Sequence, residues 1–203
     1  MSPAILSAAA MFGFATSITP GPNNMMLLAS GLNFGVRRTL PLMFGISAGY
    51  VLLMLCVGFG LGEALRAVPH AFLVLKIAGG AYMLWLAWQI ARSTKAEARD
   101  GEGRERRPIG FLGAILFQWV NPKAWVIVVT AAATYVAPDD FTRDLLIVTF
   151  ICGLINLPSI AVWAVFGAGL RRFLTDPVWL RRFNIAMALL LVASLWPLFA
   201  IAG

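Results

Sequence analysis

Charge is what this sequence lacks most. Aspartate, glutamate, lysine and arginine make up 12% of its 203 residues, against about 25% in soluble domains. So few charges cannot cover a water-facing surface of this size, and a soluble globular domain is excluded. Histidine is nearly absent as well. His70 is the only one, which rules out a histidine-based metal site, and no other metal-ligand spacing is present. Two cysteines, Cys56 and Cys152, lie inside apolar stretches, so neither a disulfide scaffold nor a zinc motif is available. They read as small hydrophobic residues. No glycine-rich nucleotide-binding loop occurs, and ATP is therefore not expected as a cofactor. Nor is any other cofactor expected. Residues 1–18 lack a basic n-region and run straight into a longer apolar pattern, so a signal peptide is not expected.

What is abundant is apolar sequence in blocks: 60% of the chain is hydrophobic. A helix needs about 20 apolar residues to cross a bilayer, and six such blocks are present. They run over 4–34, 39–62, 71–91, 109–137, 144–170 and 183–201. The expected fold is an all-α integral membrane protein of six transmembrane helices. It forms one transmembrane domain over 1–203. Arg92 to Pro108 is the longest polar stretch, and Arg171 to Arg182 reads as a basic turn. Within the fifth block, Leu157-Pro158 reads as a further break.

The net charge of +7 follows from topology rather than nucleic-acid binding. Arg37, Arg38, six residues of the 92–108 loop, Arg171, Arg172, Arg181 and Arg182 fall on one side of the membrane. Only Arg66 and Arg143 fall on the other, while Lys76 and Lys123 lie within spans. The basic side is cytoplasmic, which puts both termini outside. Three spans precede the loop and three follow it. Residues 1–91 and 109–203 would then be pseudo-repeats of inverted topology, an arrangement used by transporters.

The first and fourth spans are each interrupted, by Thr19-Pro20-Gly21-Pro22-Asn23-Asn24 and by Asn121-Pro122-Lys123. Proline is well suited to the first position of a helix, where its missing N–H costs nothing, so helices should restart at Pro22 and Pro122. Both breaks lie roughly 17–18 Å of helix from the cytoplasmic end, near the midplane of a core about 30 Å thick. Irregular backbone is tolerated there only against protein or a wet cavity. Two helix N-termini would converge, each with free amides suited to a carboxylate.

Pro20, Gly21, Pro22, Asn23, Asn24, Asn121, Pro122 and Lys123 are therefore candidate substrate-binding residues, together with polar Tyr50, Gln118 and Asn156. Lys123 has three readings. It could pair with a substrate carboxylate, carry a proton, or snorkel to the cytoplasmic face. Lys76 is explained by snorkelling, and Trp85 and Trp88 by anchoring at the membrane interface.

Thr19-Pro20-Gly21-Pro22-Asn23, Asn121-Pro122-Lys123-Ala124, Gly45, Gly49 and Gly79-Gly80-Ala81-Tyr82 carry a resemblance to the LysE/RhtB superfamily of bacterial amino-acid exporters. It covers essentially the whole chain. Residues 81–88 and 184–192 are most like the cysteine and O-acetylserine exporter branch. The resemblance implies secondary active export of small, neutral amino acids or derivatives across the bacterial inner membrane, driven by the proton gradient, and no enzymatic activity. It implies a small-molecule substrate and lipid as partners, and is compatible with a homo-oligomer. Members of the superfamily often carry an aspartate in the second or fifth span, where Tyr50 and Asn156 stand here. That argues against a carboxylate proton relay and against basic substrates, the principal alternative. A membrane thiol–disulfide carrier would need exchangeable cysteines near the breaks, and a channel would need a ring of selectivity groups. Neither is evident.

The charge asymmetry makes a direct prediction. A cysteine placed at residue 100 should resist membrane-impermeant labelling of intact cells, whereas one at the C-terminus should react. Labelling of residue 100 from outside would overturn the inverted-repeat reading.

Overall fold

The computed structural model describes residues 1–61, 71–93, 108–174 and 176–195. These form helices throughout, with no strand among the described residues. The helices are α1 (Pro3–Ile18), α2 (Pro22–Phe34), α3 (Val36–Cys56), α4 (Ala71–Ala91), α5 (Phe111–Val120), α6 (Pro122–Tyr135), α7 (Phe141–Leu170) and α8 (Pro177–Ala193). A π-helical turn, Val57–Leu61, extends α3. Both α2 and α6 open on proline, as expected. The chain bends by 54° between α1 and α2 and by 71° between α5 and α6.

Val36–Leu61 and Phe141–Leu170, with mean hydropathies of 2.1 and 2.3, are each long and apolar enough to cross a membrane. Each bent pair qualifies when taken as one span. This is a membrane protein. The third expected span coincides with α4, whose Ile77–Ala91 portion is a shorter apolar helix. The sixth corresponds to α8, and its expected end at 201 lies outside the described residues, as do residues 94–107 of the polar loop.

Two expectations need correction. Pro158 does not break its span, because α7 runs unbroken from Phe141 to Leu170. Proline removes one N–H, but α7 packs along α1, α2 and α3, and these contacts hold it helical. Arg171–Arg182 is not all turn. Asp176 caps α8 by accepting from the Val178 amide at 2.7 Å. Arg181 and Arg182 are thus helical, and Arg182 stacks on Trp179. The pair Asp176-Pro177 is itself a helix-start signal.

Helix association in lipid lacks a hydrophobic drive and depends on close backbone approach. Glycines provide it here. A Cβ at Gly31 would stand 2.1 Å from the Ala164 carbonyl oxygen, and one at Gly167 would stand 2.1 Å from that of Leu28. These two glycines let α2 and α7 touch. Gly45 and Gly49 do the same for α3 against α5. Gly79 of α4 meets Val120, and Tyr82 donates to the Gly113 carbonyl of α5 at 3.0 Å. As a result α2 is enclosed: ten of its thirteen residues are buried. Trp85 and Trp88 are exposed, with Arg92 over the Trp88 ring.

Gly31→Ala should therefore force α2 from α7 and cost about 1–3 kcal/mol, as overpacking does. Gly169→Ala, which meets no atom within 4 Å, should be neutral. Thermal unfolding in detergent checks both. Equal melting of the two variants would show that the α2–α7 contact is not a stability determinant.

Candidate functional site

The site begins with the end of α1. Proline at 20 and 22 and glycine at 21 stop the helix at Ile18, and a helix end leaves its last carbonyls without intrahelical partners. Inside an apolar span each needs a donor. The Thr19 amide and hydroxyl both donate to the Ala15 carbonyl. Asn24 Nδ2 donates to the carbonyls of Ser17 and Thr19, both at 2.8 Å. Trp163 Nε1 donates to that of Ile18 at 3.1 Å. Lys123 Nζ donates to Thr19 at 2.7 Å and to Pro20 at 3.2 Å. Every carbonyl from Ser17 to Pro20 is thus taken by a side chain from another segment.

The Lys123 side chain reaches back to the first break. Its ammonium lies across the α1–α2 break, against the partially negative end of α1. Gly21 makes room for it, since a Cβ there would stand 2.7 Å from Lys123 Cδ. Gly21 is fully extended (φ −179°, ψ −179°), so glycine is needed for space rather than for its backbone angles.

The two breaks meet through an amide cluster. Asn23 Nδ2 donates to Gln118 Oε1 at 3.0 Å, and Asn23 Oδ1 accepts from Gln118 Nε2 at 3.0 Å and Asn121 Nδ2 at 3.2 Å. The two helix starts differ. Asn121 caps α6 by accepting from the Lys123 amide at 3.1 Å, whereas α2 has no side-chain cap. The expectation of two open N-termini is thereby corrected. Asparagine just before Pro122 closes the second one, and glycine before Pro22 leaves the first uncapped.

Between the breaks lies a cavity of about 20 Å³, lined by residues including Gly21, Asn23, Asn24, Tyr50, Asn121, Lys123 and Asn156. It is large enough for about one water and too small for an amino acid. Asn24 Oδ1 is buried without a hydrogen-bond partner, and the Tyr50 hydroxyl is buried beside the Cys152 thiol. Asn24 and Tyr50 are 2% and 4% exposed. None of the lining residues is acidic.

The remaining candidates stand behind this cavity. Pro20 contributes only its carbonyl, while Pro22 and Pro122 each start a helix. Gln118 is fully buried, its amide engaged by Asn23 and the Ala114 carbonyl. Asn156 lines the cavity but is tied on both sides. Its Oδ1 accepts from Ser47 at 2.8 Å and its Nδ2 donates to Ser17 Oγ at 3.0 Å. Cys56 and Cys152 are free thiols outside the cavity, and Cys152 packs against Gly13. The side chain of Lys76 lies outside the described residues.

Sequence reasoning missed Thr16, Ser17, Ser47 and Trp163. Thr16 and Ser17 stand just ahead of the first break, and Ser47 lies between Gly45 and Gly49. Small hydroxyl residues on the glycine-rich faces were the available signal. Nothing marked Trp163.

The chain matches the model of the LysE type translocator family over residues 6–201. It is 34% identical over 194 residues to the cysteine/O-acetylserine efflux protein of Escherichia coli (strain K12), covering 95% of this chain and 96% of that protein. The same identity and coverage hold for the protein of that name from Shigella sonnei (strain Ss046). No solved structure matches the chain. With a family model spanning nearly all of its length and relatives matched end to end, the chain belongs to the LysE type translocator family, and is a membrane transporter rather than an enzyme.

Proposed function

We propose that the chain is a secondary active exporter of small neutral amino acids, of the cysteine or O-acetylserine kind, and that it holds the substrate between its two breaks. The cavity there carries the reading. Its polar groups complement an amino acid's backbone. A carboxylate fits the uncapped start of α2, where free amides and the helix dipole favour an anion, within reach of the Lys123 ammonium. The amino group fits Asn24 Oδ1, a buried acceptor with no partner. Tyr50 presents a second buried polar atom, its hydroxyl beside the Cys152 thiol. With no acidic lining residue, a cationic side chain would remain uncompensated, which favours neutral substrates over lysine or arginine. The efflux proteins named above act on cysteine and O-acetylserine by their names.

At about 20 Å³ the cavity is contracted, so the helices must separate at the breaks to admit a substrate. The 3+3 inverted repeat, the outward termini, the inner-membrane location and proton coupling belong to the same proposal. Exchanging the halves maps the packing of α1 on α7 onto that of α5 on α3, and of α2 on α7 onto that of α6 on α3. All four pairs are in contact.

Lys123 tests the reading. Lys123→Met, checked for normal insertion and monodispersity, should lose both active export of O-acetylserine and counterflow without a gradient, because the carboxylate seat is gone. Retained counterflow with lost active export would instead make Lys123 a proton carrier. Wild-type export would remove it from the site. Lys123→Arg keeps the charge and should partly restore binding. Cys56→Ala should export normally, since that thiol lies away from the cavity. Its loss of activity would reopen the thiol-carrier alternative.

A further inference from the structure

The structure contains a second and larger cavity, of about 250 Å³. It lies at the other end of α2 from the break. Met26, Ala29, Ser30 and Asn33 of α2 line it, with Leu42 of α3 and Gln89 of α4 opposite. Its size suits a single small molecule, and its lining is largely apolar with a few placed polar groups, the usual character of a binding pocket. The Ser30 hydroxyl pairs with Thr39 at 2.9 Å. Asn33 exchanges two hydrogen bonds with Asn184, at 2.9 and 3.1 Å.

The two cavities share one face of one helix. Asn23 lines the small cavity; Met26, Ser30 and Asn33 line the large one. Steps of three and four residues place all four on the same side of α2. A buried apolar cluster that includes Met26, Ile46, Phe117 and Ile160 adjoins both cavities, since Met26 lines the large one and Ile160 the small one. A methionine side chain, unbranched and with three rotatable bonds, can withdraw without moving the backbone.

We infer that the 250 Å³ cavity at the C-terminal end of α2 is a vestibular binding site for the exported amino acid on the cytoplasmic side, separated from the break site by Met26 and the apolar cluster around it. The inference rests on the proposed export of small neutral amino acids. The small cavity cannot hold such a substrate as it stands. The large one can, and it lies on the same helical face. The substrate would bind first beside Ser30 and Gln89, then pass Met26 as the cluster parts.

Thiol modification tests it in a Cys56→Ala background, where the remaining Cys152 is fully buried. Gln89→Cys and, separately, Ser30→Cys are treated with a cationic methanethiosulfonate from the cytoplasmic face of inside-out vesicles. Modification is followed by mass, and export by uptake of O-acetyl-L-serine into the vesicles. Arg172→Cys, exposed in the turn beyond α7 and outside the cavity lining, serves as the control. The expected result is loss of export on modification at 89 and at 30, slowed by prior O-acetyl-L-serine, with no effect of modification at 172. Full modification with export intact would overturn the inference, and so would inhibition that substrate does not slow. Resistance of both positions to the reagent would overturn it too, since the cavity would not open to the cytoplasm. A Cys56→Ala parent that takes up no amino acid would instead overturn the export reading, and this inference with it.

Discussion

The carbonyl groups at the end of α1 are the constraint from which the rest of the site follows. A helix that stops inside an apolar span leaves carbonyl acceptors with no intrahelical partner, and an acceptor left bare away from water costs several kcal/mol. This chain assigns Asn24, Trp163 and Lys123 to them. Those residues come from α2, α7 and α6, so the end of one short helix ties three others together. Lys123 links the two halves directly, because it belongs to the second break and caps the first. Its positive charge beside the start of α6 would be unfavourable alone. The α1 carbonyls offset it, which is how a lysine can stand among apolar helices with no carboxylate among the described residues that line the cavity.

Much of the fold was legible in the sequence because it depends on local chemistry. Prolines 22 and 122 announce helix starts wherever they stand, and α2 and α6 begin on them. Apolar length announced α3 and α7, each long enough to cross a membrane. What local chemistry could not disclose was the partner of each polar group. Asn23, Gln118 and Asn121 were visible as polar residues in apolar surroundings, but their mutual bonding depends on two breaks meeting in space. Trp163 read as one more apolar residue, and only packing of α7 on α1 brings its N–H to Ile18. Pro158 misled for the converse reason. Its local signal is the same as that of Pro22, but α7 is held straight by contacts along its length, and tertiary packing outweighs one missing hydrogen bond.

The glycines show a similar division. Gly45 and Gly49 stood out by their spacing of four, the pattern of close helix contact, and both press on α5. Gly31 shares that spacing with Gly35, but Gly167 has no glycine four residues away, and the two form the tightest approach, between α2 and α7. Their pairing is set by a chain separation of more than a hundred residues. That contact buries α2 on most of its surface, which is what allows α2 to line one cavity at its start and another towards its end.

The asymmetry of the two breaks bears on how binding and movement connect. Of the two helices that restart at the breaks, α2 alone lacks a side-chain cap, because glycine precedes its proline where asparagine precedes that of α6. On the proposed reading a carboxylate therefore has one seat, and the cation nearest to it is already engaged by the Thr19 and Pro20 carbonyls. Hydrogen bonds to a charged group contribute about 1.5–3 kcal/mol, so drawing Lys123 towards a carboxylate must weaken the hold on α1 by a comparable amount. Substrate binding and the angle between α1 and α2 would then be linked through a single ammonium group. A compound lacking a carboxylate would leave Lys123 on the Thr19 and Pro20 carbonyls, and so would not draw α1 and α2 apart at the break.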